Sequence, residues 1–202
     1  NGKLSKTEIQ ELLKELYETT DNSATRVKLA GAYAHFMPTK PKKAKTTFDW
    51  VCKAVANEQA RPYLNFVYSD GEYLVATDGH RLHFTKTDKA TGYYDKNGDK
   101  IELDLAFPQY RRIVPQFFKN PEFLTFEFDV DKCEVTSEDK LFFYTATDGD
   151  RTFKVNKRYM DEMLNGETKT TLKIEKSKAD DSCPVLCFED GDRQAVLVSE
   201  KM

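Results

Sequence analysis

The sequence predicts an α+β fold with few helices and several antiparallel β-meanders. Three observations lead to this prediction: helical periodicity is confined to short stretches, β-type runs are joined by Asp-Gly and Asn-Gly turns, and one strand-turn-strand motif occurs twice. The 202 residues include 14 Phe and 10 Tyr, with 39% apolar and 32% charged residues. This composition is typical of a globular chain that can bury a full core.

The first predicted element is an amphipathic helix near the N-terminus. A capping box spans residues 5–8 and is followed by an apolar stripe made of Ile9, Leu12, Leu13 and Leu16. The stripe indicates that the helix docks on its own domain or on a partner. Residues 26–36 favour a strand, and residues 37–45 form a basic, proline-broken loop whose lysines are either simply solvated or suited to a phosphate backbone.

The remaining elements are predicted from periodicity and turn residues. Residues 47–60 favour a second helix, and residues 157–164 a third helix with Asn156 as its cap. Hairpin turns are predicted at Asp70–Gly71, Asp78–Gly79, Asn97–Gly98 and Asp190–Gly191. Further strands are predicted at 171–175, 184–188 and 194–198.

One motif is repeated within the chain. Residues 73–81 (YLVATDGHR) resemble residues 143–151 (FYTATDGDR), 70 positions later. Because the repeat occurs only twice and its period exceeds that of most solenoids, it indicates a duplicated half-domain. We therefore predict an N-terminal helical extension over residues 1–25 and one domain over residues 26–202, with its first half at about 26–115 and its second at about 116–202.

Composition also bears on location and partners. No apolar run approaches the ~18 residues of a membrane span, and residues 1–4 contain no apolar segment of a secretory signal. We therefore expect a cytoplasmic protein with no membrane partner, and reduced thiols at its four cysteines, Cys52, Cys133, Cys183 and Cys187. The net charge of −3 excludes nucleic-acid binding driven by overall charge, but it permits a local basic surface.

Several motifs together resemble the bacterial DNA polymerase III beta subunit, the beta sliding clamp. The matching stretches are 63–65 and 75–82 (middle domain), 107–115 (linker to the last domain), 153–165 (a helix of the last domain) and 193–198 (its C-terminal strand). The chain is too short for the three domains of that subunit, and residues 1–46 match none of it. The resemblance implies a DNA-clamp-like fold in a shortened relative, which we expect to be encoded by a phage.

In that family these motifs form a hydrophobic pocket for a short peptide carried by polymerases, clamp loaders and repair proteins. The resemblance implies a pocket made of Leu64, Thr77, Gly79, His80, Arg81, Leu82, Pro108, Arg112, Ile113, Val196 and Val198. We expect the apolar members to line a dish, and His80, Arg81 and Arg112 to hydrogen-bond the peptide. Without the resemblance, the same residues are ordinary turn and core residues.

Duplex DNA, bound without sequence specificity, is the second partner that the resemblance implies. Helices inside the family's ring offer Lys and Arg to phosphates, and the matching positions here are Lys53, Arg61, Tyr63, Lys157 and Arg158. Acidic residues on the same helices nearly cancel these charges, so we expect weak binding. Family rings contain six clamp-type domains, so this chain either assembles as a homo-oligomer or does not encircle DNA.

The sequence gives little support to catalysis. His80 and His83 have a spacing that suits shared metal ligation in a helix better than in a strand, and no nucleophile stands near Asp78. We expect no enzyme activity, no cofactor and no metal. The predicted function is a non-catalytic processivity or scaffold factor of DNA replication, and the alternative is a decoy or regulator of a host sliding clamp or replication proteins. A small nuclease or other enzyme on an unrelated α+β fold is a third hypothesis.

Overall fold

A computed structural model describes residues 6–19, 25, 41–119, 121–139, 141–149, 151–179, 181 and 183–200. The chain divides into two compact units, residues 1–40 and 41–202. The predicted division after residue 25 falls within the first unit, and the domain boundary stays a prediction. Within the described residues, no helix combines the length and the apolar character needed to cross a membrane.

The first unit contains helix α1 (Lys6–Thr19), as the sequence predicts. Ile9 and Leu13 are half-buried, whereas Leu12 and Leu16 are exposed, so the apolar stripe is only partly covered. The predicted capping residue Ser5, the strand at 26–36 and the first part of the basic loop lie outside the described residues.

The second unit is built on two antiparallel sheets. Its helices and strands are α2 (Thr47–Cys52), β1 (Val67–Ser69), β2 (Tyr73–Thr77), β3 (Arg81–Lys86), β4 (Gly92–Tyr94), β5 (Lys100–Ile101), α3 (Tyr110–Ile113), α4 (Pro115–Phe118), β6 (Phe123–Asp129), β7 (Glu134–Glu138), β8 (Leu141–Asp148), β9 (Arg151–Asn156), α5 (Lys157–Leu164), β10 (Lys169–Glu175), β11 (Val185–Asp190) and β12 (Arg193–Val198). The larger sheet has the order β5-β4-β1-β2-β3-β12-β11-β10-β6, and the smaller sheet has the order β7-β8-β9. This arrangement confirms the predicted α+β class.

The larger sheet joins strands of the predicted first half to strands of the predicted second half through β3 and β12. These strands are adjacent, with Leu82 opposite Val196 and Arg81 opposite Leu197. One face of the sheet contributes Leu74, Ala76 and Leu197 to a core shared with α2, α5 and the smaller sheet. The other face forms a second core with the segment that contains α3 and α4.

The repeated motif forms the same hairpin twice. In the first hairpin, Tyr73 lies opposite Lys86 and Thr77 opposite Leu82. In the second, Phe143 lies opposite Asn156 and Thr147 opposite Thr152, so every pair recurs at an offset of 70 residues. The first hairpin lies in the larger sheet and the second in the smaller one. The shared register supports the predicted duplication.

The second helix is shorter than predicted, because it ends at Cys52 rather than near residue 60. Its start has a full capping box, in which the N–H of Asp49 donates to the Thr46 hydroxyl at 3.0 Å and the N–H of Thr46 donates to the Asp49 carboxylate at 3.2 Å. After Cys52 the N–H groups of residues 53–55 donate three residues back instead of four, and the N–H of Ala56 donates to the carbonyl of Leu64 at 2.8 Å. That partner belongs to a 3-10 helix, Pro62–Asn65, and this tertiary contact overrides helix propensity.

The turns and the third helix are as predicted. Hairpins form at all four predicted turns, and the strands at 171–175, 184–188 and 194–198 differ from the observed strands only at their ends. Helix α5 begins after Asn156, whose side chain accepts from the N–H of Tyr159 at 3.3 Å. The four cysteines are free thiols; Cys187 is buried in β11, and Cys183 precedes that strand.

Candidate functional site

Three segments that are distant in sequence meet beside the larger sheet. The turn between β2 and β3 lies against the end of β12, where the N–H of Val198 donates to the carbonyl of His80 at 3.0 Å. The third segment, residues 107–115, packs Tyr110 and Val114 against Leu82 and Val196. The chain order alone does not show this convergence, because β12 reaches β3 only through the pairing of the two halves.

The segment 107–115 is held in place by polar contacts to the β1–β2 turn. The hydroxyl of Tyr110 donates to the Asp70 carboxylate at 2.7 Å, and the guanidinium of Arg111 donates to Asp70 at 3.1 Å and to Glu72 at 2.6 Å. Burial by itself raises the pKa of Asp70, but the N–H of Tyr73, the Tyr110 hydroxyl and Arg111 together hold it below its usual range. An ionised Asp70 therefore fixes this wall of the site.

The converging segments enclose a cavity of about 350 Å³. Its lining includes ten of the eleven predicted residues: Leu64, Thr77, Gly79, His80, Arg81, Leu82, Pro108, Ile113, Val196 and Val198. Arg112 is exposed and does not line it. The lining also includes residues that were not assigned to the pocket from the sequence: Arg61, Tyr63, Tyr110, Val114 and Val185. Tyr110 and Val114 belong to the 107–115 motif, so that motif could have identified them as cavity residues.

The cavity has an apolar floor and an apolar rim. Its floor is formed by buried side chains, namely Leu64, Leu82, Tyr110, Val114 and Val196. At the rim, Ile113 is 61% exposed and Val198 39% exposed. Exposed apolar side chains around a concave apolar surface are typical of a ligand site, since a ligand that covers them removes apolar area from water.

The β2–β3 turn that edges the cavity is tightly hydrogen-bonded. The Thr77 hydroxyl donates to the carbonyl of Arg81 at 2.6 Å, and the Asp78 carboxylate accepts from the N–H groups of His80 and Arg81 at 3.0 and 3.1 Å. Gly79 has φ +94°, and a Cβ at this position would lie 3.4 Å from the guanidinium of Arg61. Glycine therefore allows both the turn and the close approach of Arg61.

Arg81 is buried, and its guanidinium is bound within the protein. It donates to Asp78 at 3.1 Å, to the Glu162 carboxylate of α5 and to the carbonyl of Lys53, and it lies 4.4 Å from the centre of the Tyr159 ring. These contacts place its charge behind the turn, where it supports the turn's shape. His80 is exposed and Arg61 is 45% exposed, so these two side chains offer polar groups at the mouth of the cavity.

The predicted DNA-binding residues differ in how far their charges are free to meet a phosphate. Arg61 and Tyr63 line the cavity, and Arg61 is paired with Glu58 at 2.5 Å. Lys157 is buried and paired with Asp161 at 2.5 Å, so its charge is not available to a phosphate. Lys53 is half-buried at the end of α2, and Arg158 is exposed on α5. The i, i+4 spacing of Lys157 and Asp161 is a sequence signal that could have identified this pair, but its burial depends on packing against Tyr144.

The two histidines that the sequence singled out are in different environments. His80 is exposed, whereas His83 is buried and stacked on Trp50 with the ring centres 4.2 Å apart. Burial, together with the positive charge of Arg81, lowers the pKa of His83 to about 3, although Nδ1 lies 2.9 Å from the carbonyl of Trp50. The described residues contain no group of three or more His, Cys, Asp or Glu side chains arranged to hold a metal ion.

Comparison with known proteins identifies the fold. No protein-family model and no curated protein matches the sequence. Solved structures of sliding clamps do match. The DNA polymerase III beta subunit of Bartonella birtlesii, bound to griselimycin, has a TM-score of 0.51 and 14% identity, over 77% of this chain and 63% of that chain. The beta subunit of Borrelia burgdorferi, in complex with a natural product, has a TM-score of 0.50 and 13% identity, over 85% of this chain and 67% of that chain.

A third match is the beta subunit of Pseudomonas aeruginosa bound to griselimycin, with a TM-score of 0.50 and 14% identity, over 84% of this chain and 69% of that chain. The chain thus spans about two thirds of the length of these clamps, and 63% of the Bartonella protein. The molecule has a DNA-clamp fold. Within that class it is similar to the bacterial DNA polymerase III beta subunit, and the resemblance predicted from the sequence is confirmed for the fold.

Proposed function

We propose that this protein is a clamp-like DNA replication factor that acts by binding and not by catalysis. Its cavity takes a short peptide from a polymerase or another replication protein. The residues predicted above to bind DNA contact the duplex without reading its sequence. Tethering of this kind raises the local concentration of a polymerase at its template. The observation that supports the proposal most is the convergence of ten residues, selected by motif, around one apolar cavity.

The chemistry of the cavity suits an apolar peptide segment. A volume of about 350 Å³ falls in the usual range of ligand pockets, roughly 300–1,000 Å³. The buried floor receives apolar side chains, while the exposed imidazole of His80 and the guanidinium of Arg61 are placed to hydrogen-bond peptide carbonyls or a glutamine side chain. Because Arg81 is occupied by Asp78 and Glu162, it acts on the peptide through the turn.

Fluorescence anisotropy with a labelled Gln-Leu-x-Leu-Phe-type peptide tests the proposal. Ile113→Asp and Val198→Asp place a charge on the apolar rim, and both positions are already exposed, so the fold should tolerate them. Leu141→Asp is the matched control, because Leu141 is 53% exposed and lies on the smaller sheet. We expect at least a tenfold loss of affinity for the rim variants, about 1.4 kcal/mol, and no loss for the control.

Equal affinity in all three variants and the unmodified protein would remove the cavity from the proposal. Arg112→Ala, which the sequence also suggests, should have a smaller effect than Ile113→Asp because Arg112 does not line the cavity. A peptide of scrambled order serves as the control for non-specific apolar binding.

A second candidate function is a decoy or regulator that diverts proteins from a host clamp. One observation favours it: Lys157 and Arg61 are neutralised by Asp161 and Glu58, which weakens the expected grip on duplex DNA. A primer-extension assay with a host clamp and polymerase separates the two functions. Longer products on addition of this protein support the processivity role, and shorter products support the decoy.

Ring formation is a separate part of the proposal. A ring made from one clamp-type domain per chain would need several copies, and so a homo-oligomer. Light scattering on the purified protein measures this directly. A monomeric mass would leave the peptide function in place and exclude encirclement of DNA at that concentration.

A further inference from the structure

The strongest unassigned basic feature of the second unit is the loop at residues 42–45, here called the lysine loop. Lys42, Lys43 and Lys45 are all exposed. Among the described residues, neither Lys42 nor Lys45 takes part in an ion pair, whereas Lys43 lies 3.8 Å from the exposed Glu167. Two uncompensated cations therefore stand close together on this loop.

The lysine loop is fastened to the end of α5. The N–H of Ala44 donates to the Asn165 side-chain oxygen at 2.6 Å, and the Asn165 amide donates back to the carbonyl of Ala44 at 3.4 Å. Asn165 is in the left-handed region with φ +51°, a conformation that asparagine tolerates better than most residues. Because these hydrogen bonds fix the backbone at Ala44, ligand binding costs little backbone entropy there, and the entropic cost falls on the exposed lysine side chains.

Beside the loop is a cavity of about 280 Å³ with further cationic and hydroxyl groups. Lys43, Lys45, Thr46, Thr47 and Arg193 contribute to its lining, together with Asn165, Glu167 and Trp50. Arg193 is also paired with Asp190, and its guanidinium lies 5.7 Å from the centre of the Trp50 ring. The acidic groups Glu167 and Asp190 offset Lys43 and Arg193, so the excess positive charge comes from Lys42 and Lys45.

We propose that the lysine loop and this cavity bind the phosphate backbone of duplex DNA. The inference rests on the proposed function, and it adds Lys42 and Lys45, which form no ion pair among the described residues, to a predicted DNA-binding set in which Lys157 and Arg61 are neutralised. Clustered lysines without ion-pair partners release counterions when they meet phosphates, and they do so without reading bases. Two such lysines give weak binding and contribute about −1.8 to the slope of log K against log salt.

The test is the salt dependence of binding to a labelled duplex, measured between about 50 and 200 mM salt. The variant Lys42→Gln/Lys45→Gln removes two phosphate contacts, so the slope of log K against log salt should become less negative by about 1.8. The control Lys176→Gln/Lys178→Gln makes the same change in net charge on a different loop, where both lysines are exposed. Its slope should match that of the unmodified protein, and a second duplex of unrelated sequence should give the same values.

An unchanged slope in the loop variant, or an equal change in the control, would overturn the assignment of the site while leaving DNA binding itself intact. Failure of the unmodified protein to bind duplex at about 50 mM salt would instead overturn the DNA part of the proposed function, and this inference with it. Peptide affinity reports on the fold, because neither Lys42 nor Lys45 lines the peptide cavity. We expect it to be the same in all variants.

Discussion

The two copies of the repeated hairpin share a register but differ in what covers them. On one face both are apolar: Leu74 and Ala76 in the first copy correspond to Tyr144 and Ala146 in the second, and all four are buried. On the other face the copies diverge. The first presents Val75, Leu82 and Phe84, and the second presents Thr145, Thr152 and Lys154 at the same register positions.

The divergent face accounts for the position of the cavity beside the first hairpin. Val75, Leu82 and Phe84 belong to the core that the segment 107–118 covers, and the cavity opens at its edge. The corresponding residues of the second hairpin are polar and half-buried. A turn with the sequence Thr-Asp-Gly therefore does not make a site by itself. The neighbouring strand β12 and the covering segment do.

Among the changes that test this comparison, removal of the Arg81 guanidinium should have the largest effect on the free energy of unfolding. Arg81→Met leaves Asp78 and Glu162 without their cation in a nearly buried position, which should lower the free energy of unfolding by about 3 kcal/mol. Arg111→Met is the control, because its ion pairs with Asp70 and Glu72 are more exposed than those of Arg81 and should contribute less than about 1 kcal/mol. Urea denaturation measures both. Similar losses in the two variants would show that Arg81 has no special role in the first hairpin.

The second-largest effect on stability is expected at His83, whose counterpart in the second hairpin is Phe153. The pKa of His83 is about 3 in the folded chain, against an ordinary value of 6.5, so the unfolded chain binds the proton more readily between these values. The contribution of neutral His83 to the free energy of unfolding is therefore fully present above about pH 6.5, and it is lost as the pH falls toward 3. Between pH 7 and 4.5 this group should cost the folded chain on the order of 2–3 kcal/mol of stability.

His83→Phe removes this titration and makes the first hairpin resemble the second. Its stability at pH 7 should fall slightly, since the contact with the Trp50 carbonyl is lost, but its decline between pH 7 and 4.5 should be smaller. Urea midpoints measured across this pH range check the prediction. Equal declines in the two proteins would contradict a neutral, buried His83.

The smallest effect comes from the matched glycines of the two turns. Gly79 has φ +94° and its added Cβ would touch Arg61, whereas Gly149 has φ +58° and nothing within 4 Å of the added Cβ. Gly79→Ala should lower the free energy of unfolding by about 2 kcal/mol and Gly149→Ala by about 1 kcal/mol or less. Only Gly79→Ala should also weaken peptide binding. A larger loss for Gly149→Ala would reverse the ranking of the two turns.

Much of the fold and most of the cavity could be predicted from local signals. Asp-Gly and Asn-Gly dipeptides located the hairpins, Asn156 located the start of α5, and motif resemblance selected ten cavity residues. Features that depend on distant partners were missed. Helix α2 ends early because Ala56 bonds to Leu64, and Arg81 is unavailable to a ligand because Glu162 lies behind the turn. Such partners come together only after the two halves pack.

The central claim is that the cavity beside β3 and β12 binds a peptide, and methyl NMR tests it most directly. A protein with labelled Ile, Leu and Val methyl groups is titrated with the Gln-Leu-x-Leu-Phe-type peptide. The largest shifts should occur at Ile113, Val196 and Val198, while Leu141 on the smaller sheet should not move. Saturating peptide that shifts Leu141 and leaves the three cavity residues unchanged would contradict the claim.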